Sequence, residues 1–115
     1  MATDFRDGKT FPRRGREVCG DALWLYRVFD KARASANRTI YDYIYPCGMD
    51  KGVFERWGIT AAQFNDAIRT HDSDEKIAQW LRSHVSAEQI AVANKWLLSE
   101  KTSNLDRQDR EEGGA

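Results

Sequence analysis

The stretch Asp21-Ala22-Leu23-Trp24-Leu25-Tyr26-Arg27-Val28-Phe29-Asp30-Lys31-Ala32-Arg33-Ala34-Ser35-Ala36 decides the fold. At about 100° per residue, Ala22, Leu25, Val28, Phe29, Ala32 and Ala36 fall on one arc, and Leu23 and Trp24 fall outside it. The helix is therefore apolar around more than half its girth. Such a helix sits at the centre of a fold, covered on two sides. The pattern predicts it over residues 21–36, with Gly20 or Asp21 near its cap.

Working outward, residues 1–20 are broken by Gly8, Pro12, Gly15 and Gly20. They read as an extended arm that lies across the domain and buries Phe5 and Phe11. On the other side, Thr39-Ile40-Tyr41-Asp42-Tyr43-Ile44-Tyr45-Pro46 alternates tyrosines with Ile40, Asp42 and Ile44, which predicts an extended segment. A lone strand is unstable, so this one must pair with the arm, pack irregularly, or pair with a second copy. Asp50 is expected to cap a short helix that ends at Trp57 before Gly58. Two capping boxes with hydrophobic staples follow: Thr60 with Gln63 and Ile59 with Phe64, then Ser86 with Gln89 and Val85 with Ile90. Between them, a helix starting near Asp72 or Ser73 carries Ile77, Trp80, Leu81 and Val85 as its stripe, with His84 on the same face. From Ser99 onward the chain is polar apart from Leu105 and reads as a disordered tail. The expected fold is mainly α: a small orthogonal bundle of about five helices, with an extended N-terminal arm and one extended tyrosine-rich segment. The organisation reads as arm 1–20, helical domain 21–98 and tail 99–115.

The length of 115 residues is one domain's worth, and 41% hydrophobic with 31% charged residues suits a globular chain. No apolar run approaches the roughly 20 residues of a membrane span, and no membrane association is expected. The N-terminus Met1-Ala2-Thr3-Asp4-Phe5-Arg6-Asp7 lacks the apolar stretch of a secretory signal, so a cytoplasmic location is expected. Cys19 and Cys47 are then free thiols. The zero net charge hides an asymmetry: residues 1–40 sum to +4 and residues 41–115 to −4. Without an overall basic excess, nucleic-acid binding is not expected. The arginines at 13, 14 and 16 should instead pair with the acidic half of their own chain.

Chemistry has few places to reside. Cys19, Cys47, His71 and His84 are separated by 27, 23 and 12 residues, far from the close pairs of a zinc site, so no metal and no cofactor is expected. Walker, dinucleotide-binding and nucleophile-elbow motifs are absent. Cys47 precedes a helix start, where a thiol can gain reactivity, although buried packing is the commoner role. Arg33 falls inside the apolar arc of the first helix. It is either paired with Asp30, Asp42 or Asp50 as a structural lock, or it reaches a pocket and binds a carboxylate or phosphate.

The strings from Leu23-Trp24-Leu25 through Phe29-Asp30-Lys31-Ala32-Arg33-Ala34, then Asp42-Tyr43-Ile44-Tyr45-Pro46-Cys47, Asp50, Trp57-Gly58-Ile59, Phe64 and Ala78-Gln79-Trp80-Leu81, resemble a bacterial family catalogued as domain of unknown function 5069. The resemblance covers roughly residues 4–100. It departs at Gly48-Met49, where the family pattern has a proline, and this loosens the turn after Cys47. It implies a small, helical, bacterial protein, supplies no activity, and draws attention to Asp30, Arg33, Tyr45, Cys47 and Asp50 as candidate ligand-binding residues. Two functions compete ahead of a third, a nucleic-acid or anionic-surface contact through the arginines of residues 6–16. One is a non-catalytic binding or interaction module, with a homodimer or protein partner meeting Trp24, Tyr41 and Tyr43. The other is an anion-binding protein or small enzyme built around Arg33, Cys47 and Asp50.

Overall fold

The computed structural model describes residues 4–112. Six helices follow one another: α1 (Leu25–Ala36), α2 (Gly48–Trp57), α3 (Ala61–Thr70), α4 (Asp74–His84), α5 (Ala87–Glu100) and α6 (Thr102–Glu112). The described residues contain no strand. The fold is mainly helical, and none of its helices is long and apolar enough to cross a membrane.

Helix α1 is the central element. Leu25, Val28, Phe29, Ala32 and Ala34 are buried, and so are the charged Arg27, Asp30 and Lys31, so most of the helix is covered, with Tyr26, Arg33 and Ser35 half-buried. It begins four residues later than its apolar pattern suggests. Cys19 and Ala22 exchange backbone hydrogen bonds at 2.9 and 3.1 Å, which closes a tight turn. Trp24 then takes a left-handed conformation, φ 75°, as the N-cap. That geometry costs a non-glycine residue about 1–2 kcal/mol. The tertiary structure offsets it: the Trp24 N–H donates to Gly15 O at 2.8 Å, and Asn94 of α5 accepts from Leu23 N while donating to Asp21 O.

The arm lies over α1. Phe5 and Pro12 are buried and Phe11 is half-buried. Gly15 lies so close to Trp24 that a β-carbon there would stand 2.2 Å from the indole ring. Helices α3 and α5 start at the two capping boxes, with Thr60 and Ser86 as N-caps. Both staples are buried, and Ser73 caps α4. Gly58 ends α2 in the left-handed conformation, φ 75°. Helix α5 packs on α2 and α6, and α3 on α1 and α4.

Three expectations are corrected here. The tyrosine-rich segment is not extended. Tyr41 takes φ 58°, and Tyr43 N closes a turn onto Ile40 O at 3.2 Å. Alternation needs a neighbouring strand to realise it, and none is present among the described residues. The tyrosines diverge instead: Tyr41 is exposed, Tyr43 meets Phe5 edge-on, and Tyr45 meets Phe54. Second, the polar stretch expected as a disordered tail contains α6, which docks through the buried Leu105 and Gln108. Its remaining anchors are charged. Arg16 pairs with Asp106 at 2.9 Å and with Asp109, and Arg27 pairs with Glu112 at 2.8 Å. Residues 113–115 lie outside the described residues. Third, His84 is exposed and stacks on Trp80 rather than entering the core.

Candidate functional site

The five residues singled out from sequence occupy three neighbourhoods around α1. Asp30 belongs to the first. Its carboxylate is fully buried and accepts from Arg13 three times: backbone N at 2.9 Å, Nε at 3.0 Å and Nη2 at 2.9 Å. Arg13 also grips Asp74 with Nη1 and Nη2 at 2.7 and 2.8 Å, and lies 3.9 Å over the Tyr26 ring. Burial pushes the Asp30 carboxyl up against the pull of Arg13. The hydrogen bonds from Arg13 hold Asp74 below its ordinary value. Asp30 is thus paired with the arm and not with Arg33. This clamp fastens the arm to α1 and α4. The arginine arm pairs with its own chain throughout: Arg14 with Glu17, and Arg16 with α6.

Asp50 and Cys47 form the second neighbourhood. Asp50, at the third position of α2, reaches back to the Cys47 N–H at 3.0 Å. The same Oδ2 accepts from Lys31 Nζ at 2.7 Å, and Oδ1 accepts from Trp24 Nε1 at 2.8 Å. Lys31 Nζ also lies 3.3 Å from Cys47 Sγ. Trp24, placed by its sequence on a partner surface, is 1% exposed. Its indole both fills the core and satisfies Asp50, so it offers no surface.

Arg33 and Tyr45 line the third, a pocket of about 430 Å³. Its walls come from the C-terminal half of α1, the Tyr45-Pro46 turn, α3 and the start of the α3–α4 connection. A volume of this size suits a small organic ligand. The Tyr45 hydroxyl donates to Asn65 Oδ1 at 2.6 Å. Burial, together with the charge of Asp50, pushes that hydroxyl above its ordinary range and keeps it a neutral donor. Arg33 is half-buried, with its guanidinium carbon 5.6 Å from the centre of the Phe29 ring. Nη1 donates to Ile68 O at 3.3 Å, and no carboxylate among the described residues pairs with it. Asn37, Asn65, Arg69 and Asp72 complete the polar lining. Asp72 is held low mainly by its hydrogen bond to Lys76.

The structure therefore brings Arg33 and Tyr45 together and places Asp30, Cys47 and Asp50 elsewhere. Sequence reasoning expected Arg13 to pair within the chain, as it does with Asp74, but not with Asp30, and it missed Lys31 and Asn65. Only Lys31 carried a signal, as a lysine near the apolar face of α1. Among the described residues no group of three or more His, Cys, Asp or Glu side chains is arranged to hold a metal.

A family model described as Domain of unknown function (DUF5069) matches residues 9–113. No curated protein matches the chain.

Proposed function

We propose that this chain, which belongs to the DUF5069 family, is a non-catalytic binding protein for a small anionic molecule held at Arg33. The observation that carries the reading is the state of that guanidinium. Arg13, Arg16 and Arg27 all meet carboxylates within their own chain. Arg33, at the wall of the pocket, uses one donor on a backbone carbonyl. A guanidinium has five N–H donors in a planar fork suited to carboxylate or phosphate. Asp72 acts on Arg33 only through space, so most of those donors are left for a ligand. Tyr45, Asn37 and Asn65 supply neutral polar contacts, while Ala32, Ala36, Pro46 and Ile68 face an apolar body. Asp72 disfavours ligands of high negative charge. Cys47 and Asp50 do not line the pocket, which favours binding over catalysis.

The test is thermal unfolding in the presence of inorganic phosphate and a panel of monocarboxylates, with Arg33→Gln as control. This variant loses one long hydrogen bond, worth about 1 kcal/mol, and stays folded. Stabilisation of the wild type that vanishes in Arg33→Gln is expected. A folded wild type that no anion stabilises would remove the reading.

A second reading, self-association, is favoured by Tyr41 and Ile44, which are 61% and 71% exposed on one turn beside Tyr43. A monomer at all concentrations in sedimentation would dismiss it. A cytoplasmic setting in a bacterium, and an orthogonal arrangement of the helices, go with either reading; two free cysteines and the small size support the former.

A further inference from the structure

Lys31 and Cys47 meet outside the pocket, and the anion-binding reading uses neither. Lys31 is 3% exposed. It is tied to the same carboxylate oxygen that accepts the Cys47 N–H, so one Asp50 atom fixes both the nitrogen and the cysteine backbone. Asp50 is itself held by the Trp24 indole. The resulting approach of Nζ to Sγ, 3.3 Å, is therefore set by three anchored residues and not by a mobile surface lysine. Cys47 is half-buried and so lies nearer the surface than the enclosed Lys31. Cys19 differs on both counts: it is 4% exposed, and among the described residues no lysine is bonded to it.

We propose that Cys47 and Lys31 form a redox cross-linking site, in which a hydroperoxide oxidises Cys47 and the Lys31 nitrogen then closes on its sulfur. In the first step the sulfur attacks a peroxide oxygen. The O–O bond breaks, sulfur gives up two electrons, Cys47 becomes a sulfenic acid, and hydrogen peroxide leaves as one water. In the second step the Lys31 ammonium passes a proton to Asp50, and the nitrogen lone pair attacks the sulfur. The N–S bond forms and the S–O bond breaks. The hydroxyl departs with a second proton from nitrogen as water, and Asp50 is left neutral. A dithiol reverses the link by taking the sulfur in exchange and releasing the amine. Because Lys31 lies in α1 and Cys47 caps α2, the link joins the two helices next to the Tyr45-Pro46 wall.

The experiment treats the full chain with hydrogen peroxide and maps chymotryptic peptides by mass spectrometry. The expected product is a peptide pair joined through Lys31 and Cys47, about 2 Da lighter than the sum of its parts and released by dithiothreitol. Cys19 should stay reduced, and Cys47→Ser should abolish the pair. In Lys31→Arg, Cys47 should accumulate as sulfenic and sulfinic acid without a link. The wild-type map decides the matter even if that variant does not fold. Cys47 left reduced, Cys47 oxidised with Lys31 unlinked, or a linked pair that retains the peroxide oxygen would each overturn the proposal.

Discussion

Replacing Leu105 with alanine tests whether α6 is part of the folded domain. Leu105 is 0% exposed. It packs on Gly15, where its Cδ2 stands 3.1 Å from the place a β-carbon would take, beside the Trp24 ring. The substitution removes three carbons from a fully buried site. At about 0.8 kcal/mol per carbon, transfer alone contributes about 2.4 kcal/mol. The cavity left behind adds about 1 kcal/mol, because the rigid arm and indole collapse onto it only in part. A loss of about 3–4 kcal/mol follows, a large share of the roughly 5–15 kcal/mol of a domain this size. The corresponding drop in Tm is about 12–16 °C. Urea unfolding followed by tryptophan fluorescence measures it, with an unchanged denaturant slope expected. The consequences extend beyond the leucine, since α6 also carries Gln108, which accepts from Gly15 N at 3.0 Å, and Glu112, which pairs with the buried Arg27. A loss below about 1 kcal/mol, the range of surface changes, would mean that α6 does not dock and that the arm is held some other way.

Asp30→Asn turns an amide NH2 toward the Arg13 donors that the carboxylate accepts and should cost about 3 kcal/mol, the low end for a broken buried pair because Asp74 still holds the guanidinium; Asp74→Asn, at a partly exposed site, should cost about 1 kcal/mol or less. Chemical denaturation of both variants compares them. The same pair has opposite pH signatures. Asp74 is held below 3.8 by Arg13, so its stabilisation is full above 3.8 and is lost as pH falls through the lowered native value. Asp30 is raised above 3.8 by burial, so its contribution is lost as pH rises through the raised value. Between about pH 2 and 6, Asp74→Asn should flatten the acid loss of stability and Asp30→Asn should steepen it; equal slopes would contradict the assignment. At the alkaline end, burial and the nearby charge of Glu112 push Tyr43 from 10.0 up to about 12. The unfolded chain then loses its proton first, and stability should decline as pH rises above 10.0. Ultraviolet titration of folded Tyr43→Phe should lack a phenolate phase near 12 that the wild type shows.

The elements that were legible in the sequence are those specified by neighbouring residues. Thr60 with Gln63 and Ser86 with Gln89 place two helix starts within a residue, because a capping box is complete in four positions. The enclosed character of α1 was likewise written in its arc of apolar residues. What could not be read depends on distant partners. Helix α6 has one buried apolar side chain, and its ion pairs with Arg16 and Arg27 join residues 85–93 positions apart. The start of α1 is set by Gly15 and Asn94, not by a local cap. The wheel rightly isolated Arg33 and Asp30 as polar groups in an apolar setting, but it could not reveal that Asp30 has a partner in the arm while Arg33 faces a pocket. Cys47 and Asp50 were paired by sequence proximity; Lys31, which donates to both, comes from another helix.

Nuclear magnetic resonance of the Arg33 side chain, recorded while inorganic phosphate or a monocarboxylate is titrated in, probes the anion pocket at the group said to bind. The Arg33 Nε–H signal and the amides of Asn37, Asn65 and Ile68 should move together and saturate, and the amide shifts should be absent from Arg33→Gln. Non-saturating shifts spread over the surface arginines, or amide shifts that persist in Arg33→Gln, would contradict an anion site at Arg33.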